Sequence, residues 1–290
     1  MNNVFRFLLV LVLLALAACS ATPRRDPLEL RDGTTKSADG VAIHYVEGGS
    51  GKTTLVFVHG WTGDTSVWKD ALKRFAPRAR VVALDLAGHG RSGHERTDWT
   101  VEHFADDVCA VVHALDLRDV VLVGHSMSGP ITVAAANRLK ERVVALVPVD
   151  TLLDAEWKLP PEIAGPFFGG LRADFPTNVE QFFRSYLTVP GSPKDVVDSI
   201  FAQARAADPK IAVPMLERAA DFDLQGGLRE LRIPIHAINS DMNATQLEKN
   251  RKYAPRFEAE IVKGIGHWPH LEAPERFADA LEHVLAALGR

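Results

Sequence analysis

Short apolar segments alternate with longer amphipathic segments along most of the chain. From residue 40 onward, the segments rich in valine and isoleucine and bounded by glycine, proline or aspartate are 41–46, 54–58, 80–84, 120–123, 143–149, 233–238 and 258–262. Several are apolar at every position, which is typical of strands buried on both faces of a parallel sheet. Segments with helical periodicity lie between them, at 66–75, 100–115, 127–139, 243–253 and 274–288. This alternation predicts an α/β fold with a mostly parallel central sheet flanked by helices.

The alternation stops between residues 151 and 228, where no segment has a convincing strand pattern. This stretch holds nine of the 22 phenylalanine, tyrosine and tryptophan residues of the chain, and prolines divide it into short helical segments. We therefore expect a helical cap at 151–228 that closes over a core made of residues 40–150 and 229–290. The alternative is a helical subdomain whose aromatic residues form a core of their own.

Residues 1–18 have the order of features of a secretory signal peptide: one positive charge at Arg6, twelve apolar residues, and small residues at the end. This run is too short to cross a bilayer, which takes about 20 apolar residues. The L-A-A-C that ends at Cys19 resembles the lipobox of bacterial lipoproteins, which implies export, cleavage before Cys19 and lipid attachment there. Ser20, rather than aspartate, implies anchoring in the outer membrane. An ordinary signal peptide with Cys19 incidental is the alternative, and residues 19–39 are expected to form a tether and a first strand region.

Composition and charge exclude several classes of partner. The net charge is −4 and the basic residues are scattered, so the chain lacks the basic patch that a nucleic-acid-binding protein needs. The glycine-rich run at 48–54 lacks the first glycine of a phosphate-binding loop, and no paired-cysteine or histidine spacing suits a metal. We therefore expect no nucleic acid, no cofactor and no metal, while the oligomeric state stays open. Cys109 is expected to be a buried apolar group.

The segment V-V-L-V-G-H-S-M-S-G-P at 120–130 places a lone serine between a buried strand and a helix. A sharp strand-to-helix turn holds such a serine in a strained conformation, and the residues two before and two after it must be small. Gly124 satisfies this requirement, and Ser128 is small although it departs from the G-x-S-x-G pattern. Ser126 is therefore a candidate nucleophile, which needs a base and an acid elsewhere in the chain.

At this point the chain resembles the α/β-hydrolase superfamily of serine hydrolases and esterases with a helical cap. The motifs that carry the resemblance are V-F-V-H-G-W at 56–61, D-L-A-G-H-G-R-S-G at 85–93, G-H-S-M-S-G at 124–129 and G-I-G-H-W-P-H-L-E-A-P-E-R-F at 264–277. They occur in order, each at a predicted strand end, from about residue 40 to the C-terminus. The resemblance implies an α/β-hydrolase fold with a cap insertion.

The resemblance also implies the catalytic base and the oxyanion hole. His267 follows the last predicted strand, where the family places its histidine, and His270 is the competing candidate. The backbone N–H groups of Trp61 and Met127 would stabilise the negatively charged oxygen of the reacting acyl group.

Two aspartates compete for the role of the acid. Asp241 follows the strand predicted at 233–238, and the order Ser126, Asp241, His267 matches that of the superfamily. Asp150, at the end of the preceding strand, is the alternative because some relatives carry their acid there. The sequence favours Asp241.

These residues predict hydrolysis of a carboxylic ester or similar acyl compound through an acyl-serine intermediate. The aromatic cap favours a small-molecule acyl substrate that is partly apolar. Alternatives on the same residues are a carbon–carbon bond hydrolase and a cofactor-free perhydrolase. From another class, a catalytically inactive hydrolase scaffold could serve as an anchored binding protein.

Overall fold

The computed structural model describes residues 29–290. The predicted signal peptide at 1–18 and the predicted lipid attachment at Cys19 lie outside the described residues. Within 29–290, none of the helices has the length and hydropathy required to span a bilayer.

Eight strands form one sheet. They are β1 Arg31–Lys36, β2 Ala42–Gly48, β3 Thr54–Val58, β4 Arg80–Leu84, β5 Val120–His125, β6 Val143–Val149, β7 Ile235–Ser240 and β8 Phe257–Val262. Their order across the sheet is β1-β2-β4-β3-β5-β6-β7-β8. The pairs β1–β2 and β2–β4 are antiparallel, whereas every other pair is parallel. The predicted α/β fold with a mostly parallel sheet is confirmed.

β1 is a strand that the hydrophobic pattern does not reveal by itself. Its sequence R-D-G-T-T-K contains no apolar side chain. It forms a hairpin with β2, and Gly40 in the connecting segment has a φ of 87°, a left-handed conformation that glycine adopts without strain. Because β1 lies at the sheet edge and is largely exposed, its pairing depends on the backbone and not on apolar burial.

The helices are α1 Lys69–Phe75, α2 Val101–Ala114, α3 Ser128–Leu139, α4 Pro161–Ala173, α5 Phe175–Tyr186, α6 Lys194–Ala206, α7 Pro209–Asp221, α8 Leu224–Glu230, α9 Leu247–Tyr253, α10 Pro269–Glu272 and α11 Pro274–Ala287. A 3-10 turn, Thr65–Trp68, leads into α1, and a second, Lys140–Arg142, follows α3.

The sheet is buried on both faces, which explains why its central strands are apolar throughout. Successive side chains of a strand point to opposite faces. Val56 and Val58 of β3 join the cluster formed with α2 and α3, whereas Leu55 and Phe57 join the cluster formed with α1 and α11. All four are fully buried.

Five helices, α4 to α8, lie between β6 and β7, and none of the described residues between these strands is in a strand. They begin at Pro161 and end at Glu230, close to the cap predicted at 151–228. The cap packs on the core and does not form a separate cluster, since Phe168, Phe175 and Phe183 belong to the same buried cluster as the β3 valines.

The parallel register brings particular loops together at one edge of the sheet. His125 at the end of β5 pairs with Val149 at the end of β6, and Val149 pairs with Ile238 of β7. Ser126 and Asp150, the residues that follow these paired ends, are therefore neighbours. The candidate chemistry lies at this carboxyl edge, as is general for open α/β sheets.

Candidate active site

Ser126 occupies the turn between β5 and α3 with a φ of 53°, a left-handed conformation that costs a non-glycine residue free energy. Its N–H donates to the Val149 carbonyl, 3.0 Å away, which fixes the turn against β6. A Cβ atom at Gly124 would lie 2.7 Å from Thr132 Cγ2 and 2.8 Å from the Ser128 carbonyl oxygen. The turn therefore requires glycine at 124, as its sequence predicts.

A continuous chain of hydrogen bonds links a hydroxyl, an imidazole and a carboxylate. Ser126 Oγ lies 2.7 Å from His267 Nε2, and His267 Nδ1 lies 2.6 Å from Asp150 Oδ2. The carboxylate can only accept, so Nδ1 carries a proton and Nε2 is free to accept from the Ser126 hydroxyl. This tautomer is the one a general base requires.

Asp150 is buried, with 3% of its surface exposed. It also accepts a hydrogen bond from the Ser240 N–H, 2.6 Å away. Burial acts to raise the pKa of Asp150, but the hydrogen bond and charge of His267 and the bonds from Ser240 outweigh it, so the pKa lies below its ordinary value. The carboxylate is ionised near neutral pH and can stabilise a positive charge on His267.

The structure corrects the predicted acid. Asp241 does not contact His267; its side chain is exposed and accepts a hydrogen bond from the Gly264 N–H, 2.7 Å away. The reason is the direction of the two side chains. Asp150 Oδ2 binds His267 Nδ1 while its Oδ1 accepts from the Ser240 N–H at the end of β7, whereas the Asp241 side chain turns to the loop after β8. Asp150, the alternative from the sequence, is the carboxylate that meets the imidazole.

His270, the competing base, lies away from the serine hydroxyl. Its ring stacks on Trp68 at a centroid distance of 4.1 Å, and neither of its nitrogens has a hydrogen-bond partner among the described residues. Burial, followed by the neighbouring His125 and His267 imidazoles, lowers the pKa of His270 well below its ordinary value. His270 is therefore a neutral packing residue.

The two predicted oxyanion donors have free amides. Within residues 29–290, the backbone N–H groups of Trp61 and Met127 donate to no other residue. The Trp61 loop lies close to the serine, because a Cβ atom at Gly60 would be 3.1 Å from Ser126 Cβ. Ser128 joins this loop to the serine turn by donating its hydroxyl proton to the His59 carbonyl.

The Trp61 side chain points away from the sheet and into the cap. Its Nε1–H donates to the Ala212 carbonyl of α7 at 2.8 Å, and its ring makes edge contacts with Phe175 and Phe183 of α5. The cap thereby holds the loop that carries a candidate oxyanion donor.

His125 is a site residue that the sequence analysis did not single out. Its Nε2–H donates to the backbone carbonyl of His267 at 2.8 Å. Burial, followed by the charge of His267, lowers the pKa of His125 to about 3, so its imidazole stays neutral. The sequence held one signal for this role, which is that His125 directly precedes Ser126. The end of β5 faces the loop after β8, so a side chain there can reach that loop.

Comparison with known proteins identifies the family. Residues 55–280 match the alpha/beta hydrolase family. The chain is 30% identical over 227 residues to a non-heme haloperoxidase of Rhodococcus erythropolis, covering 71% of this chain and 80% of the relative. It is 27% identical over 257 residues to a pimeloyl-[acyl-carrier protein] methyl ester esterase of Vibrio vulnificus (strain YJ016), covering 82% and 96%.

A solved structure, a thermophilic esterase from Thermogutta terrifontis, superposes with a TM-score of 0.77 at 22% identity and covers 89% of this chain and 99% of that one. The chain belongs to the alpha/beta hydrolase family and is an enzyme of that family. The predicted superfamily and fold are confirmed.

The two aspartates can be separated by matched substitutions. Asp150→Asn should lower kcat for a short p-nitrophenyl ester by about 10⁴-fold, because an amide no longer fixes the tautomer of His267 or stabilises its charge. Asp241→Asn should change kcat by less than about threefold, because asparagine can still accept from the exposed Gly264 N–H. Steady-state kinetics of both variants, with folding checked by circular dichroism, decides the matter. A larger loss in Asp241→Asn would contradict the geometry.

The buried histidines make stability depend on pH. The pKa values of His59, His89, His125 and His270 are all lowered by burial from 6.5, and His125 reaches about 3. Below pH 6.5 these histidines become protonated in the unfolded chain but stay neutral in the native protein. Their contribution to stability is therefore fully present above pH 6.5 and is lost as the pH falls toward the native pKa values.

We expect the free energy of unfolding to fall between pH 7.5 and pH 5.5, by up to about 1.4 kcal/mol per pH unit for each such histidine. Urea unfolding at constant ionic strength measures this slope. His270→Phe should make the slope shallower, because it removes one of the four groups without removing a hydrogen bond. Equal stability at pH 7.5 and 5.5 would show that these imidazoles take up protons in the native protein as readily as in the unfolded chain, which would contradict their lowered pKa values.

Proposed function

We propose that the protein is a serine hydrolase that cleaves a carboxylic ester or similar acyl compound through an acyl-serine intermediate. The observation that carries the proposal is the hydrogen-bond chain from Ser126 Oγ through His267 to Asp150. A serine hydroxyl alone is a weak nucleophile, and an adjacent neutral imidazole makes it reactive. A carboxylate behind the imidazole stabilises the charge that the reaction creates.

The proposed mechanism has two halves. Ser126 Oγ attacks the substrate carbonyl carbon while His267 Nε2 takes the hydroxyl proton, and the carbonyl oxygen becomes an oxyanion. The N–H groups of Trp61 and Met127 stabilise this oxyanion, each by about 3 kcal/mol at the transition state. The intermediate collapses, the C–O bond to the alcohol breaks, and His267 returns the proton to the leaving alkoxide.

In the second half, a water molecule attacks the acyl-serine while His267 Nε2 takes its proton. A second oxyanion forms at the same amides and collapses to release the carboxylic acid, and the proton returns to Ser126 Oγ. Asp150 stays ionised throughout, in agreement with its lowered pKa. The residues around the site favour a substrate with an apolar part, since Trp61, Phe183 and Trp268 are buried beside the catalytic loops.

A second candidate is peracid formation on the same residues, favoured by the resemblance to proteins named non-heme haloperoxidases. Hydrogen peroxide would replace water as the attacker of the acyl-serine and yield a peroxycarboxylic acid. Assaying ester turnover with and without peroxide, with peracid detected by bromide oxidation, would distinguish the two outcomes.

The proposed chemistry predicts that a fluorophosphonate probe adds one label per chain, at Ser126, because the probe reacts with an activated serine and then stays attached. Ser126→Ala should remove both labelling and turnover of a short p-nitrophenyl ester. Intact-protein mass spectrometry and peptide mapping measure the label. Unlabelled wild-type protein that is correctly folded would refute the serine mechanism and leave a binding role for the scaffold.

We also propose that the protein is exported and lipid-anchored through Cys19, with the outer membrane as its site. The charge, apolar run and L-A-A-C order of the first 19 residues support this proposal. Cys19→Ala should move the protein from the membrane pellet to the soluble fraction of a bacterial expression host, without changing the activity of the folded domain. A wild-type protein that is already soluble after fractionation would count against the anchor.

A further inference from the structure

Three consecutive backbone amides around His267 are all bound by groups outside their own loop segment. The Gly266 N–H donates to Glu272 Oε2 at 2.9 Å, and the Trp268 N–H donates to Glu272 Oε1 at 3.1 Å. The His267 N–H between them donates to the Leu187 carbonyl at 2.9 Å. The backbone that carries the imidazole is thus held on both sides by one carboxylate and in the middle by the cap.

Glu272, at the end of α10, is an unusual residue for its position. It is 9% exposed, and its hydrogen-bond partners among residues 29–290 are two backbone amides and a hydroxyl, none of them cationic. A buried carboxylate without a counter-ion is costly unless hydrogen bonds satisfy it. Its third donor is the hydroxyl of Ser192, 2.6 Å from Oε2. All three partners are donors, so both carboxylate oxygens act as acceptors.

Ser192 and Leu187 both belong to residues 187–193, which connect α5 and α6 of the cap. Gly266 is what allows this connection and Glu272 to approach the histidine loop together. A Cβ atom there would lie 2.7 Å from Glu272 Oε1 and 2.7 Å from the Leu187 carbonyl oxygen. The close approach of cap, carboxylate and loop is therefore built into the sequence at this glycine.

We propose that Glu272 is a positioning residue for the catalytic base, and that Ser192 couples this function to the cap. Glu272 fixes the backbone on either side of His267 so that Nε2 faces Ser126 and Nδ1 faces Asp150. Ser192 orients the Glu272 carboxylate, so the base is correctly placed when the cap is seated. The inference rests on the proposed serine mechanism for its catalytic consequence, but its geometric content does not depend on that mechanism.

The first test is Glu272→Gln, which keeps the shape of the side chain but turns an acceptor oxygen into a donor NH₂. One of the three donors then faces another donor, and the loop must shift. A displacement of the base by about 1 Å lowers a rate by roughly 100-fold. We expect kcat and the rate of fluorophosphonate labelling to fall by about that factor, with KM nearly unchanged.

A spectroscopic readout separates positioning from simple stabilisation. The His267 Nδ1 proton, hydrogen-bonded to Asp150, should give a low-field proton NMR resonance that is absent from His267→Ala. Glu272→Gln should shift or broaden this resonance in the folded protein at the assay temperature. If Glu272 merely stabilised the loop, the variant would lower Tm but leave the resonance and kcat unchanged, and the proposal would be wrong.

Two further variants complete the test. Ser192→Ala removes one hydrogen bond to the carboxylate and should lower kcat by about fivefold, with a smaller shift of the same resonance. Glu275→Gln makes the same charge change at an exposed site three residues away and should alter neither quantity. If Glu272→Gln does not fold, Ser192→Ala decides: wild-type kcat together with an unshifted resonance overturns the proposal.

The experiment also distinguishes the two proposals from each other. A wild-type protein without esterase activity or labelling would refute the serine mechanism. A resonance that still shifts in Glu272→Gln and Ser192→Ala would then uphold the positioning function of Glu272. The converse result, an active wild-type protein whose variants keep both resonance and kcat, would refute the positioning function alone.

Discussion

The pairing of β5 with β6 is the constraint on which the site depends. It places the ends of the two strands side by side, with the Ser126 N–H bonded to the Val149 carbonyl. Ser126 after β5 and Asp150 after β6 therefore lie close enough for one imidazole to bind both side chains. His267 fills this gap from the loop after β8, which crosses back over the sheet edge. The strained turn at Ser126 is tolerated because packing in the core fixes β5 and α3, the strand and the helix that flank it.

His267 lies five residues beyond the end of β8, whereas Ser126 and Asp150 directly follow their strands, so its own strand positions it least. Four contacts compensate for this: His125 binds its carbonyl, Leu187 binds its amide, and Glu272 binds the amides on either side. Of these partners, His125 lies next to Ser126, Glu272 lies five residues after His267, and Leu187 belongs to the cap. The cap therefore does more than cover the site, since it also holds the Trp61 loop through the Ala212 carbonyl. The loop that carries Trp61 and the loop that carries His267 are therefore both fastened to the same insertion.

Much of this arrangement could be predicted from the sequence because it is encoded locally. The serine turn requires a glycine two residues before Ser126, and Gly124 is there. Strands that are apolar at every position indicate a parallel sheet buried on both faces. The choice between Asp150 and Asp241 could not be predicted in the same way, because both follow a strand and both precede His267 in the chain. The direction of each side chain decides between them, because Asp150 meets His267 and the Ser240 N–H whereas Asp241 meets the Gly264 N–H, and these contacts are long-range. The bounds of β1, within the first strand region expected at 19–39, could not be predicted for a related reason: its stability comes from the backbone bonds of a hairpin, which leave no hydrophobic pattern.

Ser128 departs from the glycine usual at its position, and its contact explains what the departure achieves. Its hydroxyl bridges the serine turn and the carbonyl of His59, one residue before Gly60, where a Cβ atom would lie 3.1 Å from Ser126 Cβ. Glycine at 128 would restore the common pattern but sever this bridge between the loop after β3 and the turn after β5. Engineering this turn toward the G-x-S-x-G pattern would thus remove a cross-link within the site. A residue that departs from the G-x-S-x-G pattern is thus one of those that join the two halves of the site.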